Sequence, residues 1–123
     1  LLEERLIPYP ALAIAQCHRV MNGMAKKVRN NVNRSMNLIN EFKPEKYDKV
    51  HRKENLIDKY EARLGSYLMQ LTKQALNTEQ TRQASLYLHT ISDFERIGDH
   101  AADIAEMSKS INESYGNVKC RYG

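Results

Sequence analysis

Apolar residues recur along most of the chain at alternating spacings of three and four, which is the repeat of one face of an α-helix. The recurrence falls into three long stretches, separated by short segments that interrupt helices. It predicts helices from Ala11 to Phe42, from about Glu45 to Leu76, and from about residue 78 to roughly Glu113.

The predicted helix ends depend on individual residues. Lys43 precedes Pro44, and a residue in that position is driven out of the helical region. Asn77 followed by Gln80 is typical of a capping box at the start of a helix. Gly116 is expected to close the third helix.

The apolar seams of the three helices are regular, but three of their positions hold glutamate. The first seam is Ile14, Cys17, Met21, Met24, Val28, Val32, Met36 and Ile39. The second is Tyr47, Val50, Glu54, Ile57, Glu61, Leu64, Leu68, Leu71 and Ala75. The third is Leu88, Ile91, Glu95, Gly98, Ala102 and Ala105. Acids on the core side of a helix are costly unless something positive meets them.

Three helices of about 30 residues, each roughly 45 Å long, joined by short turns, run up, down and up. The predicted fold is therefore an all-α antiparallel three-helix bundle. An extended coiled coil that pairs with a second chain is the alternative. We expect an N-terminal segment at 1–10, one helical domain at 11–115, and a flexible tail at 116–123.

Composition narrows the function classes only slightly. The net charge is +4, but the basic residues are scattered, which is typical of solvated helix faces and does not indicate nucleic-acid binding. The longest apolar stretch, Pro10 to Ala15, is too short to cross a bilayer. Cys17 and Cys120 form neither a metal-ligand nor a disulfide spacing, so a reducing cytoplasmic setting is expected.

The turn near residue 77 predicts the register of the second and third helices. In an antiparallel hairpin, residues whose numbers add up to a constant lie level, and here that constant is near 153 or 154. Glu54 with Asp99 gives 153, and Asp58 with Glu95 gives the same value. Because neighbouring helices lie about 8–10 Å apart, the four carboxylates should converge across the interface.

Four close carboxylates cannot all stay ionised without cations, so we predict a metal site. Oxygen ligands suit Mg, Ca, Mn, Fe or Zn to differing degrees. Glu61 and Asp103 continue the same faces and could add ligands, whereas His51 and His100 are weaker candidates. The alternative is that arginines neutralise the acids, with Arg34, Arg63 and Arg96 available.

Little in the sequence indicates an enzyme. The four histidines form no catalytic set with a serine or cysteine, and there is no glycine-rich phosphate loop. The Glu-x-x-His pattern of di-iron bundles is also missing, because Glu95 is followed by Gly98 and Glu54 by Ile57.

The acid motifs also carry a family likeness. Glu95-Arg-Ile-Gly-Asp99-His100, preceded by Glu54-Asn-Leu-Ile-Asp58, resembles the PhoU family of phosphate-uptake regulators. The resemblance implies three-helix bundles that bind multinuclear iron or zinc clusters. By the same resemblance, four residues are expected to be metal ligands: Glu54, Asp58, Glu95 and Asp99.

The N-terminal segment resembles the stretch that leads into the PhoU-like domain at the C-terminus of bacterial sodium-dependent phosphate transporters. This stretch is Glu4-Arg5-Leu6-Ile7-Pro8-Tyr9-Pro10-Ala11-Leu12-Ala13. The resemblance implies a regulatory module on the cytoplasmic side of the membrane, whose partner is the transporter's membrane portion. A homodimer is a further expectation, and the alternative function is a structural adaptor or dimerisation module without metal.

Overall fold

A computed structural model describes the backbone of residues 2–122 and the side chains of residues 2–115. A short 3₁₀ turn at Glu4–Leu6 precedes three α-helices. They are α1 (Pro10–Asn40), α2 (Pro44–Leu71) and α3 (Thr78–Tyr122). Each helix packs against the other two. The contacts of His18 with Tyr87 and of Leu38 with Ala105 make α1 and α3 parallel, and α2 runs opposite to both. The predicted antiparallel three-helix bundle is confirmed.

Local chemistry explains two of the helix starts. Lys43 has an extended backbone, with φ −133° and ψ 126°, and Pro44 opens α2 immediately after it. At the start of α3, the Gln80 N–H donates to Asn77 Oδ1 at 2.8 Å, and the Asn77 N–H donates to Gln80 Oε1 at 3.0 Å. The predicted capping box is therefore present.

Two predicted helix ends are wrong. The α2 helix ends at Leu71, not near Leu76. After Leu71 the Lys73 N–H donates to the Gln70 carbonyl at 3.2 Å and the Gln74 N–H to the Leu71 carbonyl at 3.0 Å, three residues back instead of the helical four. The α3 helix continues past Gly116. A glycine closes a helix by adopting a positive φ, and no glycine in the described chain does so. Cys120 and the predicted flexible tail, 116–123, lie outside the residues with described side chains.

The core follows the predicted seams closely in α2 and in the first half of α1. Beyond Val28, however, the buried face of α1 shifts by one residue, so that Met36 and Ile39 are exposed. The buried residues there are Asn31, Ser35 and Leu38. Asn31 Nδ2 donates to the Val50 carbonyl at 3.1 Å, which satisfies a polar side chain in the core.

The N-terminal segment lies on the bundle. Ile7 is buried, and the Glu3 backbone bonds to two helices. The Glu3 N–H donates to Gln16 Oε1 of α1 at 2.7 Å, while the Tyr67 hydroxyl of α2 donates to the Glu3 carbonyl at 2.8 Å. These contacts link the segment directly to the ends of α1 and α2.

Candidate metal centre

Helix α2 carries two glutamates into the interior of the bundle. Glu54 and Glu61 are seven residues apart, two turns of helix, and therefore share one face. Their exposed fractions are 7% for Glu54 and 1% for Glu61. Asp58 lies between them but is exposed, because its position is rotated away from the buried face. Ile57 takes the core position at that level.

The buried carboxylates are not satisfied by the protein. Glu54 Oε2 and both carboxylate oxygens of Glu61 have no hydrogen-bond partner among the described residues. An isolated buried charge is among the most unfavourable features that a fold can contain. Glu61, which the sequence suggested only as a supplementary ligand, is the most deeply buried acid of the set.

Both glutamates hold their protons more tightly than usual. Burial, together with the negative charges of Asp58, Glu95, Glu54 and Asp99, raises the pKa of Glu61 from 4.5 to about 8. Burial raises the pKa of Glu54 to about 7, helped by the negative charges of Asp58 and Asp99. Four carboxylates from α2 and α3 therefore act on Glu61, and two of them also act on Glu54.

Helix α3 contributes its acids from the edge of the site, not from the core. Glu95 and Asp99 are both exposed, so the predicted placement of Glu95 on the core seam is wrong. Between Ile91 and Gly98, which are buried, the inward position is taken by the half-buried Phe94. A 3.6-residue repeat allows either neighbour to face inward there, and the aromatic ring is the cheaper one to bury.

The predicted register of α2 and α3 is confirmed at Glu54. Its carboxylate lies against Gly98, so close that a Cβ atom placed on Gly98 would lie 2.7 Å from both carboxylate oxygens. Glu54 is thus level with the Gly98–Asp99 step of α3, as the hairpin argument required. Asp99 also acts on the charge of both buried glutamates.

The arginine alternative finds no support in the side-chain contacts. Arg96 pairs with Asp93 at 3.0 Å, and Arg34 donates to Asn31 Oδ1 at 3.5 Å. Arg63 borders a small cavity with Leu2 and Glu4. None of the ion pairs among residues 2–115 involves any of the six predicted ligands.

The remaining candidates lie outside the cluster of five acids. Asp103 is exposed and is not among the charges that raise the pKa of Glu54 or Glu61. His51 Nε2 lies 3.0 Å from Glu106 Oε1, beside Tyr47, whose hydroxyl donates to Glu106. His100 is exposed.

The five acids fit a metal centre by their chemistry, and two of them, Glu54 and Glu61, also by their burial, but the side chains are not arranged to bind an ion as they stand. Within residues 2–115, no three His, Cys, Asp or Glu side chains stand where they could hold one metal ion as they are. An all-oxygen donor set with buried, unpartnered carboxylates is nevertheless the kind that hard and borderline cations occupy. The ligand set therefore stays a prediction, which the orphaned oxygens support.

A cavity of about 620 Å³ lies between α1 and α3, remote from these acids. It is lined by Ala11, Ile14, Ala15, His18, Arg19, Gln80, Gln83 and Tyr87. None of the five carboxylates borders it, so the acids do not form the wall of this pocket.

The PhoU domain family matches residues 21–108, a span that contains all of α2 and all five acids. The chain belongs to the PhoU domain family. This PhoU domain is therefore of a regulatory, non-enzymatic family, and its membership indicates a role in phosphate homeostasis. No curated protein and no solved structure gives a significant match to the chain. Across the described residues, none of the PhoU domain's helices is sufficiently long and apolar to pass through a membrane.

Gly98 is the functional residue that sequence reasoning overlooked. The signal was available, since a glycine in the interior of a long helix is unfavourable and calls for a local reason. The contact with Glu54 supplies that reason, and it became visible only when α2 and α3 were packed together.

Proposed function

We propose that this PhoU domain regulates phosphate uptake through protein contacts, and that it binds iron or zinc ions through five carboxylates. These are Glu54, Asp58, Glu61, Glu95 and Asp99, with Asp103 as an outer candidate. The observation that carries the proposal is the pair of buried, unpartnered carboxylates of Glu54 and Glu61 between α2 and α3.

The residues divide into an inner and an outer group. Glu54 and Glu61 offer oxygens inside the bundle, while Asp58, Glu95 and Asp99 offer theirs at the solvent side. A bound iron or zinc ion would supply the positive charge that lets this cluster ionise at neutral pH. The inner glutamates would then tie α2 to α3, so that metal binding and the rigidity of the bundle are coupled.

The transporter context is the finer part of the proposal. We infer that the domain is the cytoplasmic portion of a sodium-dependent phosphate transporter, or binds such a transporter, on the inner side of the membrane. The support is the likeness of residues 4–13 to the lead-in of such domains. The contacts of Glu3 with Gln16 and Tyr67 would couple the N-terminal segment to the bundle. Movement of this segment would displace α1 and α2 through these hydrogen bonds.

Elemental analysis of the purified protein tests the metal site. We expect iron or zinc in the wild-type protein, and a large loss of metal from the Glu61→Gln variant, which keeps the shape of the side chain but removes its charge. Asp93→Asn is the matched control, because Asp93 pairs with Arg96 on an exposed surface. Equal metal content in wild type and Glu61→Gln would refute the proposed site.

A metal-free structural adaptor or dimerisation module is the alternative function. It predicts no bound metal, and sedimentation that shows a dimer whose stability is unaffected by chelators. An enzyme with a carboxylate-bridged metal would instead need turnover of a phosphoester or of oxygen. We expect neither activity, since the PhoU domain family is regulatory. Phosphate uptake by cells that express the gene, compared with cells that lack it, tests the regulatory role separately from metal content. Uptake with Glu61→Gln then tests whether loss of metal alters that regulation.

A further inference from the structure

The geometry points to Gly98 as a positioning residue: its missing side chain allows the Glu54 carboxylate to lie directly against α3. This inference deepens the proposed function, because Glu54 is one of the two inner oxygen donors. It concerns the placement of that donor, and it can be tested with or without metal.

The space at Gly98 is occupied by the end of the Glu54 side chain. A Cβ atom on Gly98 would lie 2.7 Å from Oε1, 2.7 Å from Oε2 and 3.0 Å from Cδ of Glu54. These separations are shorter than ordinary van der Waals contacts between carbon and oxygen. Glu54 therefore keeps its present position only if residue 98 has no side chain.

Backbone conformation does not explain the glycine. No glycine in the described chain has a positive φ, so Gly98 has a backbone that any residue can adopt. Glycine in the middle of a helix is less stable than alanine. A residue that weakens α3 and is not needed for its conformation is best explained by what it leaves room for.

Within residues 2–115 two other glycines lie in helices, and they provide matched controls. A Cβ atom on Gly23 or Gly65 would meet nothing within 4 Å. Gly65→Ala lies in α2, four residues after Glu61, and should raise helix stability without touching any acid. Only Gly98→Ala adds a methyl group to the site.

The expected response to Gly98→Ala is local. The clashing atoms belong to the flexible end of Glu54, not to backbone, so the carboxylate should move while the helices stay in place. Glu54 then gives up its buried position between α2 and α3. The bundle should keep its helical content and lose an inner donor.

Zn²⁺ titration by isothermal calorimetry measures the consequence for metal binding. Residues that orient a ligand typically change metal affinity by about 10–100-fold when mutated. We expect Gly98→Ala to weaken Zn²⁺ binding by a factor in that range, with Gly65→Ala and Gly23→Ala close to wild type. Circular dichroism should show equal helicity in all four proteins. Wild-type affinity in Gly98→Ala would overturn the inference.

A double-mutant cycle without metal separates this inference from the proposed function. In the Glu54→Ala background the methyl group of Gly98→Ala meets no carboxylate, so the substitution should raise the urea midpoint as Gly65→Ala does. In the Glu54 background that gain should be reduced or reversed. Equal effects in both backgrounds would refute the positioning role. Failure of the wild-type protein to bind Zn²⁺ or Fe²⁺, with the cycle still coupled, would refute only the metal site.

Discussion

Glu54 and Glu61 occupy the same face of α2, two helical turns apart, and both are buried at positions where the flanking seam residues are aliphatic. A helix of this kind would be more stable with leucine at both positions, because neither carboxylate has a protein partner that compensates for lost hydration. The two glutamates therefore mark a part of the PhoU domain that stability alone does not explain, and the proposed metal binding would explain it.

The stability of the metal-free protein should fall as pH rises across neutrality. The pKa of Glu61 is about 8 in the folded chain against an ordinary 4.5. Below pH 4.5 the group is protonated in both states and has no effect. Between 4.5 and about 8 the unfolded chain ionises first, so the folded state loses relative stability, and above pH 8 the loss is complete.

Urea unfolding in the presence of a chelator at pH 5, 6, 7 and 8 measures this effect. The informative quantity is the difference in free energy of unfolding between Glu61→Gln and wild type, since titrating groups remote from Glu61 contribute equally to both proteins. The free energy of unfolding of Glu61→Gln should exceed that of wild type by an amount that grows as the pH rises toward 8. A difference that does not vary with pH would show that Glu61 ionises normally in the folded protein.

The outer acids should matter for metal retention without being needed for folding. We expect the double variant Asp58→Asn, Asp99→Asn to lose bound metal on purification, because it removes one solvent-side donor from each helix. Both positions are exposed, so its helicity should match wild type. Its chelator-treated stability should be no lower than that of wild type, because two of the charges that raise the pKa of Glu54 and Glu61 are removed. Metal content that is unchanged in this double variant, measured by elemental analysis beside Asp93→Asn, would exclude Asp58 and Asp99 as ligands.

Asn31 should contribute strongly to the stability of the bundle where α1 packs against the first half of α2. It is fully buried, and its Nδ2 donates to the Val50 carbonyl of α2 at 3.1 Å. Asn31→Ala removes this bond and leaves a cavity, which should cost about 1–3 kcal/mol. Asn33→Ala, at an exposed position two residues away, should change the free energy of unfolding by less than about 0.5 kcal/mol. Equal effects would indicate that the core bond is not formed.

The Tyr67 hydroxyl should hold the N-terminal segment on the bundle. Tyr67→Phe removes only the oxygen that donates to the Glu3 carbonyl, and should reduce stability by about 0.5–1.5 kcal/mol. Limited proteolysis should cut near residues 2–8 more readily in Tyr67→Phe than in wild type. Tyr115→Phe, at an exposed position, serves as the control. Unchanged cleavage would mean that Ile7 and Gln16 suffice to hold the segment.

Several features followed from the sequence because they depend on local or periodic properties. Val50, Leu64 and Leu68 were assigned to the core from spacing alone, and all three are fully buried. The capping box of Asn77 and Gln80 was also predictable, since it involves only neighbours along the chain. The level of Glu54 against Gly98 followed from the position of one turn.

Other features could not be predicted, because a helical repeat of 3.6 leaves two neighbouring residues equally eligible for one core position. After Val28 either Asn31 or Val32 could continue the buried face of α1. The buried residue is Asn31, whose Nδ2 donates to the Val50 carbonyl of α2. On α3 the same ambiguity lay between Phe94 and Glu95.

The amino-acid sequence by itself determined that this protein is a bundle of three long helices, with acids of α2 and α3 at matching heights. Periodicity and turn position are properties of the chain, and they do not depend on which surfaces the helices pack against. Only the tertiary structure decided which acids are inside. Burial depends on the rotation of each helix about its axis, and that rotation is set by the side chains that the other two helices present.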